Sequence, residues 1–304
     1  MIIIGGGPAG SQCALWLKHL GITPCIIEKQ EKLGGLQNDN PYFENWTAIV
    51  PNSTTGIKLA NQIHSTIANL NIPLFLSCSV LDVDTNNGIF RVKLQDHQGQ
   101  EISLDAPYLV IASGVIPKTG NAIPSEKVII GPGSQIYFQN FSNKKIAIFG
   151  GGDNAFENYL FIRSKGAVLA HIYARSIRAS KRFLDATQIE DVFLGEFPIS
   201  DNMQVGGKNY DLFIVMYGWA PSISFLSKHK LEYDTSGYLK TNSRTAETSI
   251  QNVYAIGEVA NRMHPCCATS MADGVVAAKA IQKKIESTSI EAYVKQISEK
   301  PFDR

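Results

Sequence analysis

The chain carries the same glycine-rich turn twice, and the two copies end in different chemistry. The first reads Gly5-Gly6-Gly7-Pro8-Ala9-Gly10, the second Gly150-Gly151-Gly152-Asp153-Asn154-Ala155. Eighteen residues past Gly10 stands Glu28; eighteen past Ala155 stands Tyr173, followed by Ala174 and Arg175. Glycines at this spacing permit a tight strand-to-helix turn and a close backbone approach to a pyrophosphate. The helix that follows aims its N-terminus at the phosphates. Two such units in one polypeptide imply an α/β fold with two bound dinucleotides, and hence electron transfer between them.

The surrounding pattern supports this. Residues 1–4 read as a short buried strand, 9–20 as a helix closed by Gly21, and 24–28 as a second strand. Residues 31–54 read as a loop over a ligand and 56–70 as an amphipathic helix. Residues 79–105 alternate as a small β-meander, with turn signals at Asn86-Asn87-Gly88 and at 96–99. A buried strand over 108–112 ends in Ser113-Gly114. The second unit repeats the plan, with strand 145–149, helix 154–165, strand 168–173 and a buried strand 211–217 ending at Gly218. A later strand at 252–256 and a helix at 268–285 need a partner sheet. The simplest solution returns them to the first domain. The expected domains are therefore 1–117 with 245–304, interrupted by an inserted 118–244.

The two ends of the motif select different ribose chemistry. Glu28 would accept hydrogen bonds from a ribose diol, which fits NAD or the adenosine half of FAD alike. The second unit has no acid there. Arg175, Arg178, Lys181 and Arg182 follow its strand instead, and guanidinium groups bind a 2′-phosphate that a carboxylate would repel. This site is expected to prefer NADPH, with Arg175 and Arg178 as the binding pair and Lys181 and Arg182 solvated. A plain basic surface loop is the competing reading.

Together these motifs resemble the low-molecular-weight thioredoxin reductase family of FAD-dependent oxidoreductases, over nearly the whole chain. The resemblance rests on residues 5–10 with Glu28, Gly34-Gly35, Glu44-Asn45, Ala112-Ser113-Gly114, residues 150–155, Arg175 and Arg178, residues 254–258, and Ala272-Asp273-Gly274. It implies two Rossmann-like three-layer domains, each with a parallel sheet and a small meander, FAD on the first and NADPH on the inserted second. It also implies a homodimer and a swing of one domain against the other. Carried over by position, Gly5, Gly7, Pro8, Ala9 and Gly10 would hold the FAD pyrophosphate, and Glu28 the adenosine ribose. Val80 would lie beside the adenine, Gly35 and Asn45 on the flavin side, with Ala112 and Gly114 in the adjoining strand end. Gly257 and Glu258 would meet the ribityl segment, Glu258 standing where the family has Asp. Gly150, Gly152, Asp153, Asn154 and Ala155, with Arg175 and Arg178, would hold NADPH.

The chain also departs from the family. The redox Cys-x-x-Cys that precedes the second glycine turn is replaced by Gly131-Pro132-Gly133-Ser134. Gly34-Gly35 is followed by Leu36-Gln37, the arginine pair is one residue tighter, and 183–210 is short for a meander. Family members without the disulfide include ferredoxin–NADP reductases of thioredoxin-reductase type. The resemblance therefore implies a redox protein or small molecule as acceptor: ferredoxin, flavodoxin or quinone. The aromatic C-terminal extension of that type has at most Phe302 to match it.

Cys266-Cys267 falls on flavin-facing positions of the family and supplies a second reading, a disulfide reductase using this pair. Neighbouring Cα atoms stand about 3.8 Å apart, and disulfides usually need roughly 4.4 Å or more. A vicinal bridge would be strained, and buried packing is the alternative for both thiols, as for Cys13, Cys25 and Cys78. His264 beside them is an acid–base candidate or an ordinary loop residue. A third reading is a flavin-binding redox sensor with no working NADPH site. The net charge of +1 argues against a nucleic-acid or anionic-membrane partner. The cysteines and histidines lack metal-ligand spacing, and residues 1–4 run straight into the first turn without a basic leader. A cytoplasmic setting without metal is expected.

Overall fold

Four runs of three apolar residues build the first sheet: Ile2–Ile4, Cys25–Ile27, Leu109–Ile111 and Val253–Ala255. Nearly every residue in them is buried. Strands covered on both faces read as continuous rather than alternating hydrophobicity, the signature of a parallel sheet. In the computed structural model, which describes residues 1–43, 47–200, 202–226 and 230–298, these strands pair in parallel. The order is 253–255, 109–111, 2–4, 25–27, with Leu74–Phe75 at the edge.

The chain forms two compact units, residues 1–115 with 221–304, and 116–220. In the first, helices Pro8–His19, Gly56–Ala68 and Cys267–Ser298 contribute to one core around Cys13, Leu17, Ile63, Val110, Ala278 and Ile281. Thr55 caps the second helix by accepting the Lys58 N–H, as an N-cap threonine does. The final helix lies close on the first because Gly274 has no side chain. A Cβ there would come 2.5 Å from the Ala9 carbonyl oxygen and 2.8 Å from the Cys13 nitrogen. The other core holds the three-stranded antiparallel sheet of Ser79–Asn86, Ile89–Gln95 and Glu101–Ala106. Its first turn places Asn87 at φ 50° and Gly88 at φ 77°, the left-handed pair that a two-residue hairpin demands.

The boundary expected at residue 244 falls elsewhere. Phe225, Leu226, Leu231 and Leu239 are buried in the first unit, in the core of the antiparallel sheet. Hydrophobic burial, not the motif pattern, assigns 221–244 to that unit.

The second unit has a five-stranded parallel sheet in the order 192–194, 169–174, 145–149, 212–215, 128–130. Helix Asp153–Ser164 covers one face through Phe156, Tyr159 and Ile162. On the other face the expected meander is absent among the described residues. A hairpin of Gln204–Val205 with Lys208–Asn209 stands there instead. Large aromatic rings fill the layer. Tyr173 lies 5.1 Å from Phe193, 4.7 Å from Phe197 and 6.0 Å from Tyr210 between ring centroids.

A buried polar chain ties this layer to the sheet. The Tyr173 and Tyr210 hydroxyls lie 2.5 Å apart, Tyr210 Oη lies 2.6 Å from His171 Nδ1, and Tyr159 donates to Asp191 at 2.6 Å. His171 Nε2 stands 3.6 Å from Asp191. Burial depresses the histidine pKa, helped by Lys208 and Arg163 and opposed by Asp191.

Two outcomes follow. Gly274→Val forces the first and last helices apart and costs about 1–3 kcal/mol, the usual range for overpacking, read as a lower urea midpoint. Below the ordinary histidine value of 6.5, the unfolded chain binds a proton that folded His171 does not take until lower pH. Stability therefore falls as pH drops through 6.5 toward the depressed value. Urea melts at pH 7.5 and 5.5 should show a larger loss for the wild-type chain than for His171→Gln.

Candidate functional site

The first glycine turn is built by close approach. Gly5 follows strand Ile2–Ile4 at φ +103°, and a Cβ on it would lie 2.3 Å from the Ala112 carbonyl oxygen. A Cβ on Gly10 would lie 2.0 Å from the Gly5 oxygen. Helix Pro8–His19 starts with proline in its first turn, Gly7 as N-cap and no capping side chain. The amides of that turn are therefore the orphan donors that an anion can take. Gly7 is open: a Cβ there would meet only Gly35 Cα, at 3.7 Å. The turn thus leaves main-chain donors at an uncrowded helix start, the arrangement a pyrophosphate seat requires.

Glu28 braces the cradle. It is buried, its Oε2 accepts the Gly6 N–H at 2.7 Å, and its Oε1 accepts the Gln30 N–H at 2.9 Å. Each oxygen keeps further acceptor capacity for a ribose diol. Two segments distant in sequence join the turn. Gly34 donates to the Gly6 oxygen at 2.8 Å, and a Cβ on Gly35 would stand 3.0 Å from Gly7 Cα. Gly257, at φ +70°, comes against the helix start, where its Cβ would lie 2.8 Å from that of Ala9.

The structure thus brings together Gly5, Gly7, Ala9, Gly10, Glu28, Gly35, Ala112 and Gly257. Val80 sits half-buried at the start of the antiparallel sheet, two residues after Cys78, whose N–H bonds the Glu28 carbonyl. Gly114, at φ +66°, has open space around it. Asn45 and Phe302 lie outside the described residues. Glu258 lines a small cavity beside Gly257 with Arg262, Thr269, Ser270 and Asp273, and burial raises its carboxyl pKa. Asp273 stands in a motif of the resemblance, but its pairing with Arg262 was not legible. The two lie eleven positions apart in a stretch without periodicity, and only the turn between them brings them together.

The second turn repeats the geometry with another brace. A Cβ on Gly150 would lie 2.4 Å from the Met216 oxygen, and one on Gly151 1.9 Å from the Ser176 oxygen. Gly152 caps helix Asp153–Ser164 and faces open space. The counted spacing set Tyr173 at the place of Glu28, but the register does not. The Tyr173 carbonyl accepts the Gly150 N–H at 3.0 Å as the Ile27 carbonyl accepts that of Gly5. Ala174 therefore takes the place of Glu28 and has no group to reach back, while the Tyr173 ring is buried in the aromatic layer. The loop that follows is strapped on instead. Arg178 donates its backbone N–H to the Gly151 oxygen at 2.6 Å, and Ser180 donates to Asp153 Oδ1 at 2.6 Å. Arg175 and Arg178 are exposed beside the helix start. Ala155 is buried under the turn, and Asn154 accepts from Asn158 through its carbonyl. Lys181 is paired with Asp185 at 2.6 Å, and Arg182 lies over the Phe183 ring.

Cys266 and Cys267 stand at the start of the final helix and form no disulfide. Cys267 is buried; Cys266 is half-buried and lies 3.3 Å from the Thr269 hydroxyl. Among the described residues, no three His, Cys, Asp or Glu side chains could hold a metal ion, and no helix is long and apolar enough to cross a membrane.

Two glycine turns, each leading into a helix start without a capping side chain, thus stand at the C-terminal ends of strands in two parallel sheets. The chain belongs to the Pyridine nucleotide-disulphide oxidoreductase family, whose model matches residues 1–193 and 199–286. The cofactors of these enzymes are FAD and NADPH. The chain is 28% identical to a thioredoxin reductase of Escherichia coli O157:H7 over 91% of its length and 93% of the relative's. It is 25% identical to a ferredoxin–NADP reductase of Lactococcus lactis subsp. cremoris, with 94% of each chain covered. Among solved structures, it resembles Lactococcus lactis thioredoxin reductase in the FR conformation with TM-score 0.76 at 20% identity, covering 94% of this chain and 98% of the other. It resembles bacillithiol disulfide reductase of Bacillus cereus with TM-score 0.77 at 20% identity, covering 93% and 98%. These two likenesses bear on the fold.

The thiols differ in reach. In native alkylation with peptide mapping, Cys266 should label ahead of Cys267. Cys13, fully buried with its pKa pushed up to about 12, should label only on unfolding. Labelling of Cys267 before Cys266 would contradict this placement.

Proposed function

We propose that this oxidoreductase takes hydride from NADPH onto FAD and passes electrons to an acceptor other than thioredoxin. The observation that carries the reading is the difference between the two braces. An acid closes the first cradle, while the second is closed by backbone contacts that leave Arg175 and Arg178 exposed beside it. FAD in the first unit would supply a two-electron store and NADPH in the second the hydride.

The chain's own residues bind and orient. The first-turn amides of helix Pro8–His19 would hold the FAD pyrophosphate, and Glu28 would accept its ribose diol. Gly35, Gly257 and Glu258 would border the flavin side, with Ala112 and Gly114 forming the wall at the end of strand Leu109–Ile111. Val80 and Asn45 complete the set by resemblance. In the second unit, Gly150, Gly152, Asp153, Asn154 and Ala155 would form the pyrophosphate seat, and the two arginines would take the 2′-phosphate. The sequence Gly131-Pro132-Gly133-Ser134 offers no thiol for disulfide relay. This favours a ferredoxin, flavodoxin or quinone as partner, as does the likeness to a ferredoxin–NADP reductase. A cytoplasmic homodimer is the setting we propose. The similarity to thioredoxin reductases and the half-buried Cys266 support a second reading, disulfide reduction through Cys266 and Cys267.

An anaerobic titration of the yellow protein with NADPH separates the two. Flavin bleaching should be complete at about one equivalent; about two would add a disulfide couple. No bleaching by NADPH, with normal bleaching by dithionite, would overturn the NADPH assignment. Arg178→Ala should raise the KM for NADPH on the order of tenfold, the loss of one charge-assisted contact, and leave that for NADH unchanged.

A further inference from the structure

A buried ion pair fastens the Gly257–Glu258 turn from beneath. Asp273 is 2% exposed, and its Oδ2 accepts the Gly257 N–H at 3.0 Å. Its Oδ1 stands 3.3 Å from Arg262 Nη1, and the arginine side chain is 11% exposed. Arg262 Nη2 donates to the Ser243 carbonyl. Asp273 Oδ1, Arg262 Nη1 and Arg262 Nε are buried without a well-directed hydrogen bond. They belong to residues lining a cavity of about 10 Å³ that Gly257, Glu258, Thr269 and Ser270 also border, a volume near that of a single water site.

Stability alone does not account for this arrangement. A buried pair with imperfect bonds contributes little over apolar residues of the same volume, whereas removing one partner leaves an uncompensated charge. The location is the informative feature. Asp273 holds the peptide of Gly257, and Gly257 in turn packs on Ala9 at the helix start of the first cradle. Two opposite charges with little solvent around them therefore sit directly behind a turn that borders the FAD in the reading above, on which this inference rests.

We propose that Asp273 is a positioning residue for the Gly257–Glu258 turn and that each charge of the Arg262–Asp273 pair offsets the other's effect on the reduction potential of the bound flavin. Electrons entering the flavin add negative charge. A buried guanidinium favours that charge and a buried carboxylate opposes it, in surroundings that screen poorly. With both present their effects nearly cancel; with either alone they do not. Neither residue touches the reacting atoms in this reading. They act through the turn and through the field.

The test is the two-electron potential of the flavin, measured by dye equilibration in the holoprotein at pH 8.5. Asp273→Asn keeps an oxygen to accept the Gly257 N–H and removes the charge. It should raise the potential by about tenfold in the equilibrium constant, ~30 mV for two electrons. Arg262→Met should lower it, and the double variant should return to within about threefold of wild type. A merely structural role would weaken flavin retention in both single variants, with shifts of one sign and the double variant worst. That pattern, or single variants with unmoved potentials, would overturn the proposal while leaving the FAD reading of the wild-type protein standing. If Asp273→Asn does not hold flavin, Arg262→Met decides alone: a fall supports the proposal, and a rise or no change overturns it. A wild-type protein purified without flavin, and taking up none added, would overturn both this inference and the cofactor reading.

Discussion

Everything at the two cradles depends on backbone meeting backbone where a side chain would collide. A Cβ on Gly10 would lie 2.0 Å from the Gly5 oxygen, and one on Gly151 1.9 Å from the Ser176 oxygen. Those distances leave no room for any residue but glycine without moving the main chain. The collapse of strand, turn and helix onto one another puts uncapped helix amides directly beyond the sheet edge. Such a helix start attracts anions through unsatisfied donors and aligned peptide dipoles rather than through charged side chains. The same steric rule recurs at Gly274, where the last helix meets the first.

The two units solve the bracing of that turn differently, and the difference carries the functional argument. In the first unit a buried carboxylate reaches back to the loop and remains able to accept from a diol. In the second the equivalent position is Ala174, whose methyl group cannot brace the turn, and the following loop folds onto the glycines itself. That fold leaves its arginines exposed beside the helix start. A single exchange at the end of one strand thus alters the brace and the local charge.

The spacing of the glycine motifs made the helices and sheet strands legible, because parallel strands buried on both faces and helix starts leave strong local marks. The Asn87-Gly88 turn was equally plain, since its backbone requires left-handed residues. Less visible was the allegiance of residues 221–244. Phe225, Leu226, Leu231 and Leu239 carry no motif, and only the cavity they fill under the antiparallel sheet assigns them. The missing meander was foreshadowed by a short segment, but not the aromatic layer and hydroxyl chain that replace it. The pairing of Arg262 with Asp273 left no signal either, because it depends on the turn that the intervening residues make.

The sequence by itself determined that the chain makes two glycine turns on α/β scaffolds and that the residues some eighteen positions beyond them differ in charge. Those properties are local: a glycine spacing, an apolar triplet and an acid or arginine at a set distance. Only the tertiary structure decided what lies around each cradle. It showed that Glu28 is buried and already bonded to its own loop, that Gly35 and Gly257 converge on the first turn, and that a buried ion pair stands behind Gly257. These are contacts between segments tens to hundreds of residues apart. They arise from packing, where excluded volume and the need to satisfy buried polar groups choose the partners, and no local pattern records them.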